Sequence, residues 1–269
     1  MNDDVHRYNR DRWEALAAAD ALFTRPRLDL DAAAARAYLR LEQLAITEEL
    51  TGTRVLCLAG GGGQQSAAFA LLGADVTVLD ISPGQLARDR VAAEHYGVET
   101  RTVEGDMRDL SAFEAASFDL VWHPYSLTFV PDCRVVFREV ARVTRAGGRY
   151  YLMCANPFFS GLTHASWNGE GYTLKDPYVN GARTSYPDQE WVYDRAEATI
   201  GQPVEYRQTL SHLMNGLIGE GFVLTFLSEI TAGDPEAAPG SWGHFTDVAP
   251  PWLELVWRLK GSCQWAHVG

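Results

Sequence analysis

The sequence predicts an α/β fold with a doubly wound, mostly parallel sheet of seven strands that is covered by helices on both faces. Short apolar runs alternate with helix-forming segments through residues 51–155, which is the pattern of parallel strands joined by helical crossovers. The first run is followed by four glycines, Gly60–Gly63, and the second ends in a carboxylate, Asp80. Ligands of doubly wound folds bind beyond the carboxyl ends of the strands, so both features fall where a ligand site is expected.

Residues 1–50 are predicted to form an N-terminal helical lid. Asp31 is a suitable N-cap residue, and the alanine-rich stretch behind it has a high helix propensity. These two features predict a helix over Ala32–Leu50 that ends at Gly52.

Residues 51–155 are predicted to form the Rossmann-like core. A buried parallel strand reads as a continuous apolar run, and a proline at the first helical position, as in Ser82-Pro83, marks a helix start. Gly73 is placed to close the helix that follows the glycine turn. We predict strands over residues 54–59, 75–80, 99–103, 118–123 and 149–154, and helices over 64–72, 83–96 and 133–144.

The alternation breaks after the fifth strand, at residues 156–205. This segment places aromatic side chains among glycine, proline and asparagine, so we predict an insertion that closes over the carboxyl ends of the strands. Its aromatic rings could form an apolar wall for an acceptor, or they could pack the insertion's own core. The aromatic residues concerned are Trp167, Tyr172, Tyr178, Tyr186, Trp191 and Tyr193.

Residues 206–269 are predicted to complete the sheet. A helix is expected over residues 209–220, followed by a strand over 222–229. A connection rich in glycine and proline then leads to a last strand over 253–260, and these strands are expected to be antiparallel.

Charge and composition exclude several classes of partner. The chain has a formal net charge of −12 and only two lysines, Lys175 and Lys260, whereas nucleic-acid binding requires a basic face. No apolar run reaches the roughly 18 residues of a membrane span, and the first residues lack the features of a signal peptide. We therefore predict a cytoplasmic protein with no nucleic-acid or membrane partner. The four cysteines form no CxxC pair, so no metal site is predicted.

The glycine turn and Asp80 together indicate a nucleoside ligand. A glycine turn lets the backbone approach a ligand closely, and a carboxylate at the end of the second strand can accept hydrogen bonds from ribose hydroxyls. A dinucleotide is one alternative, but the G-x-G-x-x-G/A fingerprint fits neither the register that begins at Gly60 nor the one that begins at Gly61.

Five segments in the order of the chain resemble the motifs of class I S-adenosylmethionine-dependent methyltransferases, in particular small-molecule enzymes of the methyltransferase-domain 11/25 type. They cover about residues 50–155. The segments are Val55–Gly63, Val78–Ser82, Gly105–Met107, Phe118–Val121 with Ser126–Asp132, and Phe137–Gly148.

The resemblance implies S-adenosylmethionine as the cofactor and a set of residues that hold it. The glycine turn and Asp80 face its amino-acid end and its ribose, while Asp106 matches the acid that meets the adenine amino group. An aromatic N-terminal segment, here with Tyr8 or Trp13, often covers the cofactor in this family. The predicted cofactor-binding residues are Ala59, Gly60, Gly61, Gly63, Gln64, Asp80, Ile81, Asp106, Met107 and His123.

Two departures from the family pattern concern the first motif. Cys57 stands where the family has an acid, and Ala59 stands where it has its first glycine. The loss of the acid changes how the amino-acid end of the cofactor is anchored, and Gln64 or an N-terminal residue is expected to supply that contact.

The predicted function is methyl transfer from S-adenosylmethionine to an O or N atom of a small-molecule acceptor. A general base helps when the acceptor is an alcohol or phenol. His123 and Tyr125, just past the fourth strand, are the predicted catalytic residues. The alternatives are a protein that binds the cofactor without methylating and a nicotinamide-dependent oxidoreductase. The sequence leaves the acceptor and the oligomeric state open.

Overall fold

The computed structural model describes residues 3–184, 186 and 200–261. Within them, the helices are α1 (Asp4–Ala18), α2 (Ala32–Tyr38), α3 (Gln65–Leu71), α4 (Pro83–Tyr96), α5 (Cys133–Val143), α6 (Leu210–Gly219) and α7 (Trp242–Val248). The strands are β1 (Arg54–Leu58), β2 (Asp75–Asp80), β3 (Thr100–Glu104), β4 (Phe118–Pro124), β5 (Thr144–Ala155), β6 (Arg183–Thr184), β7 (Glu205–Tyr206), β8 (Phe222–Ile230) and β9 (Trp252–Leu259).

Seven of these strands form one sheet in the order β3-β2-β1-β4-β5-β9-β8. The five strands from β3 to β5 are parallel, and β9 pairs antiparallel with both β5 and β8. The predicted fold class is therefore confirmed. Strands β6 and β7 form a separate antiparallel pair.

The central strands lie between two apolar layers. In β1 all residues after Arg54 are buried, which explains why this strand reads as a continuous apolar run. One layer packs α5 and α6 on β4 and β5, and the other packs α2 and α3 on β1 and β2. Because the two faces are covered, a ligand is expected at an edge of the sheet, and in doubly wound folds that is the carboxyl edge of the parallel strands.

The predicted helix over Ala32–Leu50 is too long. Asp31 caps α2 as expected, accepting a hydrogen bond from Ala34 N, but the helix ends at Tyr38. Arg40 and Ala45 then adopt positive φ angles of 55° and 54°, which a continuous helix does not allow. The irregular segment buries Leu41, Leu44 and Ile46, so burial of apolar side chains overrides the helix propensity of the stretch.

Two helices have bounds that the sequence did not indicate. Helix α1 begins behind Asp3, whose carboxylate accepts a hydrogen bond from His6 N. Helix α7 lies within the connection that was predicted only as rich in glycine and proline, and Ser241 caps it. In the part of the chain that the structure describes, no helix combines the length and apolar character that a membrane span requires.

Candidate cofactor and acceptor site

The glycine turn after β1 is held by two carboxylates. Gly61 N donates to Asp80 Oδ2 at 2.9 Å, while Gly62 N and Gly63 N donate to the two oxygens of Asp89, each at 3.0 Å. Gly62 and Gly63 have φ angles of +120° and +71°, a conformation that side chains with a Cβ rarely adopt. The turn therefore requires glycine at these two positions.

Asp80 closes β2 at the same edge of the sheet as the turn. Asp80 is 7% exposed, and its carboxylate also accepts from Ser82 N at 2.9 Å. Burial raises the pKa of Asp80 to about 6, against the lowering effect of the backbone hydrogen bonds. Each carboxylate oxygen has lone pairs beyond these bonds, so Asp80 can accept further hydrogen bonds from a ligand.

Asp89 on α4 is a site residue that the sequence analysis missed. It is fully buried and accepts from the Ser66 hydroxyl in addition to the two glycine amides. Burial raises its pKa to about 7, and its charge raises the pKa of the Cys57 thiol beyond the effect of burial. A carboxylate thus lies near Cys57 although the acid expected within β1 is missing. No local motif marks Asp89, because it reaches the turn from α4, which follows β2 in the chain.

The remaining predicted cofactor residues around the turn have different surroundings. Gln64 donates from its side-chain amide to Phe23 O at 3.1 Å and to Arg25 O at 3.0 Å, so this amide ties the N-terminal segment to the turn. A Cβ on Gly60 would lie 3.2 Å from Pro124 Cγ, which places the turn beside the end of β4. Ala59 has a positive φ of 46°, Ile81 follows Asp80, and Met107 packs against the core.

Helix α1 is anchored beside β3 through Asp106. The Asp106 carboxylate accepts from Arg108 Nη2 at 2.6 Å and is 3.1 Å from His6 Nδ1, while Arg108 Nη1 also donates to Asp3 at 2.8 Å. Burial acts to raise the pKa of Asp106, but the Arg108 hydrogen bonds outweigh it and the pKa is lowered. The acid expected to meet adenine is therefore engaged with α1 and Arg108.

The aromatic side chains of α1 lie near the end of β4 and near residues 200–202. Trp13 packs edge-on against Phe129 with ring centroids 5.8 Å apart, and Asn9 Nδ2 donates to Phe129 O at 3.1 Å. Tyr8 donates to Gln202 O. Helix α1 is thus connected to the segment that follows β4 as well as to Asp106.

His123 is held on both sides within the protein. It is fully buried, with Nδ1 2.8 Å from the Tyr150 hydroxyl and Nε2 2.8 Å from Ser126 Oγ. Burial lowers its pKa to about 3. The general-base assignment needs a ring nitrogen within reach of the acceptor, and these contacts occupy both nitrogens. The surroundings of His123 are those of a residue that positions the turn after β4.

Tyr125 begins a chain of hydrogen bonds that ends at a buried acid. It has a positive φ of 59°, and its hydroxyl is hydrogen-bonded to the side chains of Trp252 and Tyr186. Tyr186 donates to Glu205 Oε2 at 2.8 Å, and Thr128 Oγ1 donates to the same oxygen at 3.1 Å. Burial of the Glu205 carboxyl group raises its pKa. Sequence analysis missed Glu205 because nothing in its neighbourhood marks it.

The other aromatic residues of the insertion contact protein. The Trp167 ring lies 5.0 Å from His244 and the Tyr172 ring 5.2 Å from Phe245, so both hold the insertion to α7. Tyr178 stacks on Phe158 at 5.3 Å. Tyr186 is the aromatic residue of the insertion whose described contacts reach Tyr125, while the predicted Trp191 and Tyr193 lie outside the described residues.

Two further features are a groove and a cluster of potential metal ligands. A groove of about 900 Å³ is lined by Arg54, Asp75 and Thr100. These are the first residues of β1, β2 and β3, so the groove lies at the amino ends of these strands. Ligand atoms of Asp132, Cys133 and His212 lie within 4.8 Å of one another. However, Asp132 caps α5 and bonds His212 at 2.8 Å, which explains their proximity without a metal.

Comparison with known proteins relates this chain to methyltransferases. Residues 56–152 match the model of the Methyltransferase domain family. YbaJ, an uncharacterized methyltransferase of Bacillus subtilis (strain 168), is 46% identical over 188 residues, which are 68% of this chain and 71% of YbaJ.

Two other similar proteins are more distant. A ubiquinone biosynthesis O-methyltransferase of Xanthomonas euvesicatoria pv. vesicatoria (strain 85-10) is 35% identical over 118 residues, 44% of this chain and 49% of that enzyme, so the match spans about half of its length. The crystal structure of an S-adenosylmethionine-dependent methyltransferase from Mesorhizobium loti superimposes with a TM-score of 0.64 and 23% identity, covering 86% of this chain and 100% of that chain. This similarity to the Mesorhizobium loti structure shows the fold alone.

Proposed function

The chain belongs to the class I S-adenosylmethionine-dependent methyltransferases, and from this we propose that it transfers the methyl group to an oxygen or nitrogen atom of a small-molecule acceptor. The observation that carries the proposal is the position of the Tyr125 hydrogen-bond chain. Tyr125 follows Pro124, whose Cγ lies 3.2 Å from where a Cβ of Gly60 would be, so polar groups able to receive an acceptor lie near the glycine turn.

The residues at the turn fit the cofactor. Gln85 is 3% exposed, and its Oε1 is a buried acceptor without a hydrogen-bond partner among the described residues. This atom lies 3.6 Å from where a Cβ of Gly62 would be, on the same edge as Asp80. A nucleoside with hydroxyl or amino donors would satisfy such acceptors, which otherwise remain unpaired at a free-energy cost.

We assign the ribose hydroxyls to Asp80 and the close backbone approach to Gly60–Gly63, with Ala59, Ile81 and Met107 as flanking contacts. The bound cofactor supplies an electrophilic methyl group on a positively charged sulfur. Contact of Asp106 with adenine requires His6 to move away, because His6 and Arg108 occupy the Asp106 oxygens. The protein's own contribution is then positioning and the exclusion of water.

The acceptor is proposed to be a small molecule because the surface charge disfavours nucleic acid. The net charge of −12 opposes binding of a phosphate backbone. The name of the Xanthomonas relative, an O-methyltransferase, supports oxygen as the receiving atom.

The test of this proposal is turnover in the presence of candidate acceptors. The full chain is incubated with S-adenosylmethionine and a panel of phenols, alcohols and amines, and the release of S-adenosylhomocysteine is measured. We expect release that depends on one class of acceptor. Cofactor binding without any acceptor-dependent release would favour a protein that binds S-adenosylmethionine without methylating.

We expect His123→Gln to affect stability and its pH dependence more than the pH profile of catalysis. The ring stays neutral when folded, because its pKa is about 3, but it takes up a proton in the unfolded state below about pH 6.5. The unfolded state thus binds more protons than the folded state. When the pH is lowered from 7.5 to 5.5, this residue therefore reduces the free energy of unfolding by about 1.4 kcal/mol.

Urea unfolding at the two pH values measures this difference. Between pH 7.5 and pH 5.5, the free energy of unfolding of the wild type should fall by about 1.4 kcal/mol more than that of His123→Gln. His95→Gln, at an exposed position on α4, serves as the control. If removal of His123 abolishes the acidic limb of the activity profile instead, His123 acts as the general base after all.

A further inference from the structure

The short hairpin of β6 and β7 presents two buried polar side chains on one face. Thr184 and Glu205 are paired directly across the two antiparallel strands, and residues opposite each other in such a pair project from the same face. Thr184 is 6% exposed and Glu205 is fully buried. The hairpin thus places a hydroxyl and a carboxyl side by side inside the protein.

One atom of each side chain has no hydrogen-bond partner among the described residues. These atoms are Thr184 Oγ1 and Glu205 Oε1. The other carboxyl oxygen, Oε2, is fixed by donors from Tyr186 and Thr128. Since unpaired polar groups inside a protein are costly, the free oxygens indicate a site completed by a polar group from a ligand.

This pair lies next to the cofactor edge of the sheet. Tyr186 connects Glu205 to Tyr125, and Pro124, the residue before Tyr125, has its Cγ 3.2 Å from where a Cβ of Gly60 would be. A molecule that bonds to Glu205 Oε1 would therefore lie beside the end of β4, where the acceptor of a methyl group is expected.

We propose that Glu205 is the general base of the methyl transfer and that the acceptor is a hydroxyl compound, an alcohol or a phenol, whose O–H donates to Glu205 Oε1. This inference rests on the proposed function. The acceptor oxygen forms the new O–C bond as the C–S bond breaks, and the C–S electron pair stays on sulfur. The hydroxyl proton passes to Glu205 Oε1 and from there to solvent, which leaves a methyl ether and S-adenosylhomocysteine.

The surroundings favour a hydroxyl over an amine. A neutral amine attacks without losing its proton first, whereas a hydroxyl group gains from a base during attack. The charge of Arg12 on α1 lowers the pKa of Glu205, which favours the ionised carboxylate that a base requires. Tyr125 and Tyr186 add aromatic surface that suits a phenol ring.

The pH profile of catalysis distinguishes a base from a structural acid. The titratable and charged groups that face Glu205 are Tyr125, Tyr186 and Arg12. Glu205 is active as a base when deprotonated, so activity should fall as the pH drops through its raised pKa. The hydrogen bond from Tyr186 lowers this pKa, so Tyr186→Phe should shift the acidic limb to higher pH.

The first experiment measures methyl transfer to the phenols and alcohols of the panel by the full chain and by Glu205→Gln. We expect kcat to fall by about 10²–10⁴-fold, the usual contribution of a general base, with S-adenosylmethionine affinity retained. Glu170→Gln, at an exposed position of the same insertion, is the matched control and should keep wild-type activity. Glu205→Asp keeps a carboxyl group and should retain the acidic limb at a reduced rate.

A second experiment does not depend on finding the natural acceptor or on the folding of Glu205→Gln. Phenol, aniline and toluene are titrated by NMR against the protein loaded with S-adenosylhomocysteine. We expect phenol to bind at least about tenfold more tightly than toluene or aniline, and Thr184→Val, which removes the neighbouring hydroxyl, to reduce this preference.

The outcomes separate this inference from the proposed function. If Glu205→Gln keeps both the wild-type kcat and the acidic limb of the pH profile, Glu205 is not the general base. This result would leave the proposed methyl transfer intact. Turnover only with amines, or equal binding of phenol and toluene, overturns the hydroxyl acceptor. An absence of S-adenosylhomocysteine release with every acceptor, while the phenol preference is observed, contradicts the proposed function and not the hydroxyl site.

Discussion

Gly63→Ala is expected to remove most of the cofactor affinity and to destabilise the protein strongly. A Cβ at this position would lie 2.5 Å from Arg88 O and 2.9 Å from both Ala92 Cβ and Pro26 Cβ. The positive φ of +71° adds about 1–2 kcal/mol of backbone strain, and overpacking adds about 1–3 kcal/mol. The collision involves α4 and the N-terminal segment, so the turn itself must shift, and with it the amides held by Asp89.

A matched control separates strain from collision. Gly52 has nearly the same φ, +72°, but a Cβ there meets nothing within 4 Å, so Gly52→Ala should cost only the backbone strain and leave cofactor affinity unchanged. Thermal unfolding and calorimetric titration with S-adenosylhomocysteine measure both effects. If the two variants lose the same stability and the same affinity for S-adenosylhomocysteine, the contacts of Gly63 do not constrain the turn.

Asp80→Ala is expected to weaken binding of S-adenosylmethionine by about 10–150-fold, which corresponds to the loss of about 1.5–3 kcal/mol from hydrogen bonds to a charged group. The carboxylate lies at the end of β2 beside Gly61, where ribose hydroxyls are expected. Asp75→Ala, at the exposed start of the same strand, should leave the dissociation constant unchanged.

An analogue of S-adenosylhomocysteine without ribose hydroxyls tests the reason for this loss. If Asp80 accepts from the ribose, the analogue should bind the wild type weakly, and Asp80→Ala should weaken it much less than the natural compound. The same loss for both compounds would mean that Asp80 acts only by holding Gly61 and Ser82.

The strands of the core were predictable because each is marked by local chemistry. Strand β1 is buried along its length after Arg54, so its sequence is a continuous apolar run. Helix α4 carries Ser82 as its N-cap and Pro83 at its start, and it ends at Gly97 with φ +64°. Such signals lie within a few residues of the element they define, which is why the strands and the mostly parallel, doubly wound class of the sheet could be inferred.

The parts that were not predictable depend on contacts between distant segments. Helix α2 ends early because the residues after it turn to bury apolar side chains. Asp89 reaches the glycine turn from α4, 27 residues after Gly62. Glu205 meets Thr128 across 77 residues. No spacing rule connects such pairs. The same holds for His123, which was predicted as a base from its position just past the fourth strand. Its two hydrogen-bond partners, Tyr150 and Ser126, could not be foreseen.

A crystal structure of the protein with S-adenosylhomocysteine is the most direct test of the account. We predict that the adenosyl group lies at the carboxyl ends of β1 and β2, with its ribose hydroxyls on Asp80 and its amino-acid end beside Gly60–Gly63. The sulfur should face the turn after β4 at Tyr125. A ligand bound instead in the groove at the amino ends of the strands, next to Arg54 and Asp75, would contradict the proposed site.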